Sequence, residues 1–275
     1  MEHKKTMLDY IADCPEFIRN NVADSAALTK PLVDEYVNGG YKNIWIVACG
    51  SSSNGSLCAR QFIRRHLKCE VKIVTPFNFV SSENDFGETD MVVVVSQSGY
   101  SLNALDAIKV IEAKGRRCIG LTGDVNSDLG KVCDVVANYG VGRETVAYVT
   151  RGVTTLALFF MLFAVEAAVR LGIKTAAEGE AVKQQLLKAA DINAAVHHLA
   201  ALIGIHELEG GVVGAGAQDQ LGLFGIAAVL VIGVLFTAGH QGQGHDHGQQ
   251  KSKKLFHFYL SFPFFLVLYS PVQGM

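Results

Sequence analysis

The stretch Met91-Val92-Val93-Val94-Val95-Ser96-Gln97-Ser98-Gly99-Tyr100-Ser101 decides the fold of this 275-residue chain. Its apolar, mostly β-branched first half predicts a buried strand, and its hydroxyl-rich second half predicts a turn. The same pattern occurs earlier, where Ile44-Trp45-Ile46-Val47-Ala48 precedes the polar segment Cys49-Gly50-Ser51-Ser52-Ser53-Asn54-Gly55. Two such units indicate a chain in which strands alternate with helices.

The pattern continues on both sides of these units. Further strands are predicted at 71–74, 117–121 and 132–136, with helices at 56–66 and 102–114 between them. Uninterrupted apolar strands are typical of a parallel sheet covered on both faces. We therefore predict an α/β fold with a doubly wound parallel sheet flanked by helices.

Helical spacing brackets this sheet, with predicted helices at 4–20, 22–38, 152–171 and 175–203. We divide the chain into a helical lead-in (1–40), a sheet domain (41–174), a helical connection (175–210) and an incomplete or aberrant second α/β unit with an atypical apolar tail (211–275). The last boundary follows from composition. Of 24 basic and 26 acidic residues, only four lie in 221–275.

Composition excludes several classes of protein. With 49% hydrophobic and 18% charged residues, the chain can bury enough surface to fold. A net charge of −2 argues against non-specific binding of nucleic acid, which needs a basic excess. The six cysteines contain no CxxC pair and the N-terminus has no apolar signal core, so we expect reduced thiols and a cytoplasmic location.

The two serine-rich segments predict a phosphate site. Each follows a strand and precedes a helix, so backbone N–H groups, hydroxyls and helix dipoles would converge on one edge of the sheet. Neither segment contains Lys or Arg, and no Walker or dinucleotide glycine motif is present. We therefore expect no organic cofactor and no metal. The alternative that these serines are plain helix N-caps remains open.

At these residues the sequence resembles the sugar isomerase (SIS) domain family. Cys49-Gly50-Ser51-Ser52 is similar to the family's first turn, and residues 96–101 are similar to its SQSGET segment. The resemblance extends over about residues 7–217 and implies a domain that binds a sugar phosphate. It implies a phosphate site formed by Ser51, Ser52, Ser96, Gln97, Ser98 and Ser101.

A third stretch, residues 144–155, is similar to the family's EIGVASTKAFTTQ segment, with Arg151 in place of its lysine. Glu144 is our candidate for the proton transfer that aldose–ketose isomerisation requires. A solvated glutamate or a partner in a helix cap is the alternative. The family's principal glutamate lies in a second SIS unit, which residues 211–217 resemble only at its beginning.

Three interpretations of the tail remain open. The apolar runs 221–239 and 255–272 are long enough for a membrane hairpin, or they form a buried pair of elements. We favour a third hypothesis, a shifted reading frame downstream of residue 217, because composition and resemblance change there together. The histidines of the tail predict a flexible polar turn rather than a metal site: His240, His245, His247 and His257.

The sequence thus predicts binding of a sugar phosphate of the hexose 6-phosphate class, with isomerase or deglycase ancestry. A sugar-phosphate sensor without turnover, and a protein anchored in a membrane through 221–272, are the alternatives. We also expect a homodimer, because the resemblance implies paired domains and because the apolar helix 152–171 needs a covering surface.

Overall fold

In a computed structural model that describes residues 5–146 and 149–202, a five-stranded parallel sheet forms the centre of the fold. Its strand order is β2-β1-β3-β4-β5, which confirms the predicted doubly wound α/β class. The strands are β1 (Asn43–Val47), β2 (Val71–Val74), β3 (Asp90–Ser96), β4 (Ile119–Thr122) and β5 (Val135–Asn138).

Helices cover both faces of the sheet. They are α1 (Met7–Ala23), α2 (Ser25–Asn38), α3 (Gly50–Leu67), α4 (Pro76–Ser81), α5 (Leu102–Ala113), α6 (Asp128–Val132), α7 (Arg151–Arg170) and α8 (Ala176–Leu202). Alternation along β1 separates the two layers. Ile44 and Ile46 pack in the core formed with α1, α2, α3, α7 and α8, whereas Trp45 and Val47 pack towards α4, α5 and α6.

Two local predictions differ from the structure. The segment after β1 is not a turn that precedes a helix at residue 56, because α3 already begins at Gly50, which has a φ of +55°. The fifth strand begins at Val135 rather than Val132, because 128–132 forms the short helix α6. Val132 is apolar but exposed. Its apolar character alone places the start of the predicted strand too early.

Helix α7 is covered by its own chain. Of its 20 residues, 17 are buried. Helices α1, α2 and α3 pack against it, and Leu186, Ala189 and Ala190 of α8 lie in the same core. The expectation that a second copy covers this helix is therefore wrong, and the homodimer remains a prediction without that argument. In the described residues, α7 alone has the length and apolarity of a membrane span.

The one acidic residue in α7 is paired. Ser25 of α2 donates a hydrogen bond to Glu166 at 2.6 Å, and the Lys183 ammonium of α8 lies 3.2 Å from the same oxygen. Both charged side chains are mostly buried. The predicted interruption of the apolar helix is thus a polar junction of three helices, in which one oxygen of Glu166 has two partners.

The predictions for residues 211–275 lie outside the described residues. These are the second α/β unit, the membrane hairpin, the buried pair, the shifted reading frame and the polar histidine turn.

Acid should destabilise the fold through one half-buried imidazole, that of His66. Burial, together with the charges of Lys174, Arg65 and Lys68, lowers the pKa of His66 to about 4. The folded chain therefore holds fewer protons than the unfolded chain, whose histidine titrates near ~6.5. Stability present above that pH should fall progressively as the pH drops towards 4.

The variant His66→Gln checks this expectation by urea unfolding at pH ~7 and pH ~4.5. The loss of stability between the two pH values should be smaller in the variant than in the unsubstituted chain, since glutamine does not titrate. Equal losses would show that carboxylates alone set the acid sensitivity.

Candidate functional site at the carboxyl edge of the sheet

The two serine-rich segments follow strands that are direct neighbours in the sheet. β1 pairs with β3 in parallel, and Val47 lies opposite Val94 near their carboxyl ends. The strand order reverses between these two strands, because β2 lies beyond β1 and β4 lies beyond β3. In open parallel sheets, ligands bind in the crevice at such a switch point.

The first segment forms the N-terminal turn of α3. Ser51, Ser52 and Ser53 are partly exposed there. Within the described part of the chain, the N-cap residue Cys49 makes no side-chain capping bond. The first N–H groups of a helix have no acceptor inside the helix, so the positive end of α3 is available to an external anion.

The second segment combines one buried and two accessible hydroxyls. Ser96 is 5% exposed and accepts a hydrogen bond from the Gly99 N–H at 3.1 Å, so it holds the loop in shape. Ser98 is exposed and accepts from the Tyr100 N–H at 3.3 Å, which leaves its O–H free to donate. Ser101 is the N-cap of α5, with no side-chain capping bond among the residues described.

Gln97 is held on two sides. Its backbone oxygen accepts from the Gly123 N–H at 2.9 Å and from the Thr122 hydroxyl at 3.2 Å. Its side-chain Nε2 donates to Glu144 at 2.9 Å. The structure thus joins Gln97 to Glu144, two residues that the sequence placed in one site but 47 positions apart.

Glu144 occupies the N-terminus of α7. Its Oε1 accepts from the Thr150 N–H at 2.9 Å, the Thr150 hydroxyl at 3.1 Å and the Arg151 N–H at 3.1 Å. Its Oε2 accepts from the Gly152 N–H and from Gln97, each at 2.9 Å. Five donors therefore surround this carboxylate. These contacts are those of a partner in a helix cap, which was the alternative interpretation of Glu144. A role of Glu144 in proton transfer remains a prediction.

Arg151 attaches the first helix to this loop, a role that the sequence analysis missed. Its guanidinium lies 3.9 Å from the ring centre of Phe17 and 4.8 Å from that of Tyr10. It also pairs with Asp13 at 3.2 Å and donates to the Arg143 carbonyl at 3.0 Å. The replacement of the family's lysine by arginine was the available signal, because a planar guanidinium stacks on aromatic rings.

Across 5–146 and 149–202, no group of three or more His, Cys, Asp or Glu residues is placed to hold a metal ion. The cysteines are free thiols. Burial raises the pKa of Cys14 and of Cys133 to about 12, so neither is a thiolate near neutral pH. At this edge the two serine-rich segments supply neutral hydrogen-bond donors, and Glu144 supplies a carboxylate.

The sequence of this chain matches a known domain family and is similar to known enzymes. The sequence profile of the SIS domain matches residues 41–165. A glutamine–fructose-6-phosphate aminotransferase (isomerizing) from Caldanaerobacter subterraneus subsp. tengcongensis is 25% identical over 170 residues, which cover 62% of this chain and 27% of that protein. The corresponding enzyme from Xylella fastidiosa is 30% identical over 161 residues, covering 56% of this chain and 25% of that protein.

The fold is also similar to that of a solved structure. The C-terminal domain of glucosamine-fructose-6-phosphate aminotransferase from Francisella tularensis superposes with a TM-score of 0.63 at 21% identity, covering 74% of this chain and 58% of that one. The chain spans only about a quarter of the length of the two curated relatives above.

Proposed function

Because the chain contains a SIS domain homologous to the isomerase domain of those aminotransferases, we propose that it binds a phosphorylated sugar of the hexose 6-phosphate class. The observation that carries the proposal is that α3 and α5 begin directly after β1 and β3, the neighbouring strands on either side of the switch point. Both helix ends carry serines whose hydroxyls can still donate.

The charge of the site suits a phosphate monoester. Two helix N-termini supply diffuse positive potential, and backbone N–H groups with serine hydroxyls supply the hydrogen bonds. No cationic side chain is needed, in keeping with two segments that contain none. The sugar would then extend from the phosphate towards Gln97, whose orientation Glu144 fixes.

Binding without turnover is the form of this function that the described residues support. Isomerisation needs a base that can accept a proton from the sugar, and a carboxylate is the usual group. Both oxygens of Glu144 already accept hydrogen bonds from the α7 terminus and Gln97. Isomerase or deglycase turnover is the second candidate and would require a base from outside these contacts; the relatives' names support only its isomerase part. The membrane-anchored alternative depends on 221–272, beyond the described residues.

A thermal-shift panel of sugar 6-phosphates tests the proposal. Glucosamine, fructose and glucose 6-phosphates are compared with the unphosphorylated sugars. A ligand at one hundred times its dissociation constant should add ~2.7 kcal/mol to the free energy of unfolding. The double variant Ser52→Ala/Ser98→Ala should lose this response, whereas Ser81→Ala/Ser82→Ala, on exposed residues of the α4 end, should retain it.

An absence of any shift with every phosphorylated sugar, or an equal response of the two double variants, would overturn the proposal. Turnover is measured separately by following conversion of the sugar phosphate that binds. Conversion that survives Glu144→Gln in a folded protein would exclude Glu144 as the base.

A further inference from the structure

A cavity of about 580 Å³ lies beside the C-terminal end of α3, at the edge of the sheet opposite to the serine segments. The last turns of α3 and the residues that lead into β2 form its walls, among them Phe62, Arg65 and Lys68. No step of the proposed sugar-phosphate function uses it.

Positive charge accumulates around this cavity. Arg64, Arg65 and Lys68 line it with one carboxylate, Glu70, which bonds Arg64 at 2.7 Å. In the described ranges, Arg65 and Lys68 form no ion pair. The negative end of the α3 dipole, equivalent to about half an elementary charge, offsets only part of the remaining excess. This excess occurs in a chain whose net charge is −2.

A fourth cation, Lys174, follows the end of α7, outside the residues that line the cavity. Lys174 is half-buried and acts on His66 with Arg65 and Lys68, all three opposing its protonation. Its ammonium also has no ion-pair partner among the residues that the structure describes. His66 itself stacks on Phe62, with 4.1 Å between ring centroids, and its buried Nδ1 has no hydrogen-bond partner there. Clustered like charges repel; Arg65 and Lys68 are exposed, so water weakens this repulsion, and an anion among them would relieve what remains.

The backbone of Lys68 adds an independent observation. This residue ends α3 with φ +56° and ψ +33°, and it is the one non-glycine residue with positive φ in the described parts of the chain. Glycine is the residue favoured at such a helix end, and a side chain there is strained. Lysine occupies a position where glycine would be less strained, and this lysine is one of the residues that line the cavity.

We propose that this cavity binds a soluble small molecule with two or more negative charges, such as a phosphorylated metabolite. Arg65 would bind the anion through its planar pair of N–H groups, and Lys68 would supply a point charge. The site lies apart from the serine segments, so the proposal does not depend on the binding of sugar phosphate.

Calorimetric titration of the full chain with inorganic triphosphate tests the proposal. The informative variant is Lys68→Gly, which removes the ammonium and relieves the left-handed strain. We expect its melting temperature to rise while its affinity for triphosphate falls. In Arg65→Gln/Lys68→Gly the affinity should fall at least ~10-fold, since two charge-assisted contacts are lost.

Two controls locate the binding. Arg19→Gln/Lys109→Gln removes the same charge from exposed positions elsewhere and should change the affinity less than ~2-fold. Ser52→Ala/Ser98→Ala removes any triphosphate bound at the serine segments, so the binding that this variant keeps belongs to the cavity. Bound anion should also raise the pKa of His66, followed by NMR of its ring protons, because it offsets the neighbouring cations.

No binding of triphosphate at millimolar concentration would overturn the proposal. So would an affinity in Arg65→Gln/Lys68→Gly that equals that of the charge control, or a loss of binding in the serine variant alone. The last result would place the anion at the carboxyl edge instead.

Discussion

Replacing Gly99 with alanine is expected to unfold the second serine segment and to cost about 2–5 kcal/mol of stability. Gly99 has a φ of +73°, a conformation that costs a residue with a Cβ roughly 1–2 kcal/mol. A Cβ built there would also lie 1.8 Å from the Ser127 Oγ and 2.4 Å from the Ser127 Cβ. Such overlap adds about 1–3 kcal/mol, because a packed interior has no room to yield.

The matched control is Gly115→Ala. Gly115 has nearly the same φ, +65°, but a Cβ there would meet nothing within 4 Å. This variant should lose only the conformational term, about 1–2 kcal/mol. The difference between the two variants, measured by urea unfolding, isolates the overlap with Ser127.

A second substitution should restore part of the loss. Ser127 is buried and its Oγ has no hydrogen-bond partner in the described structure, so Ser127→Gly frees space near Gly99 without breaking a side-chain bond. Gly99→Ala/Ser127→Gly is expected to be more stable than Gly99→Ala alone. Equal stability of Gly99→Ala and Gly115→Ala would contradict the close approach of residues 99 and 127.

The second large effect that we expect is that of Glu144→Gln. This substitution should lower the free energy of unfolding by about 3 kcal/mol. The carboxylate accepts five hydrogen bonds, three of them from backbone N–H groups at the start of α7. Glutamine keeps the shape but replaces one acceptor with an NH₂ group, which must then face donors. Hydrogen bonds to a charged group are worth about 1.5–3 kcal/mol, and leaving a buried donor unpaired adds to this.

Glu178→Gln serves as the control for this prediction. Glu178 also accepts bonds at a helix start, from the Thr175 N–H at 2.7 Å and the Thr175 hydroxyl at 2.8 Å, but it lies in solvent. Glu178→Gln should lose much less stability than Glu144→Gln, because water replaces the missing acceptor. Urea unfolding of both variants measures the contrast. Similar losses would show that the five contacts of Glu144 do not organise the start of α7.

The sheet could be predicted because its strands carry their own signal. The runs at 44–48 and 91–95 are apolar on both faces, as strands buried between two helical layers must be. Helices α4 and α6 could not be found in this way, since five or six residues show no helical period.

Only the local part of the candidate site could be predicted from the sequence. Residues 96–101 form one local turn, so their sequence is sufficient to locate it. The link between Gln97 and Glu144, and the stacking of Arg151 on Phe17, join segments that are distant along the chain. Side-chain periodicity carries no information on such contacts. The packing of α1, α2 and α8 against α7 is also a contact between distant segments. Periodicity does not predict it, and for this reason the sequence favours a dimer as the cover of α7.

The burial of α7 also decides which piece of this protein could be produced alone. A fragment trimmed to the matched range 41–165 would end inside α7 and would lack α1 and α2, which pack against that helix. Its Arg151 would lose Phe17, Tyr10 and Asp13 at the same cut. We expect such a fragment to aggregate on expression, so recombinant work should keep the N-terminal helices and α8.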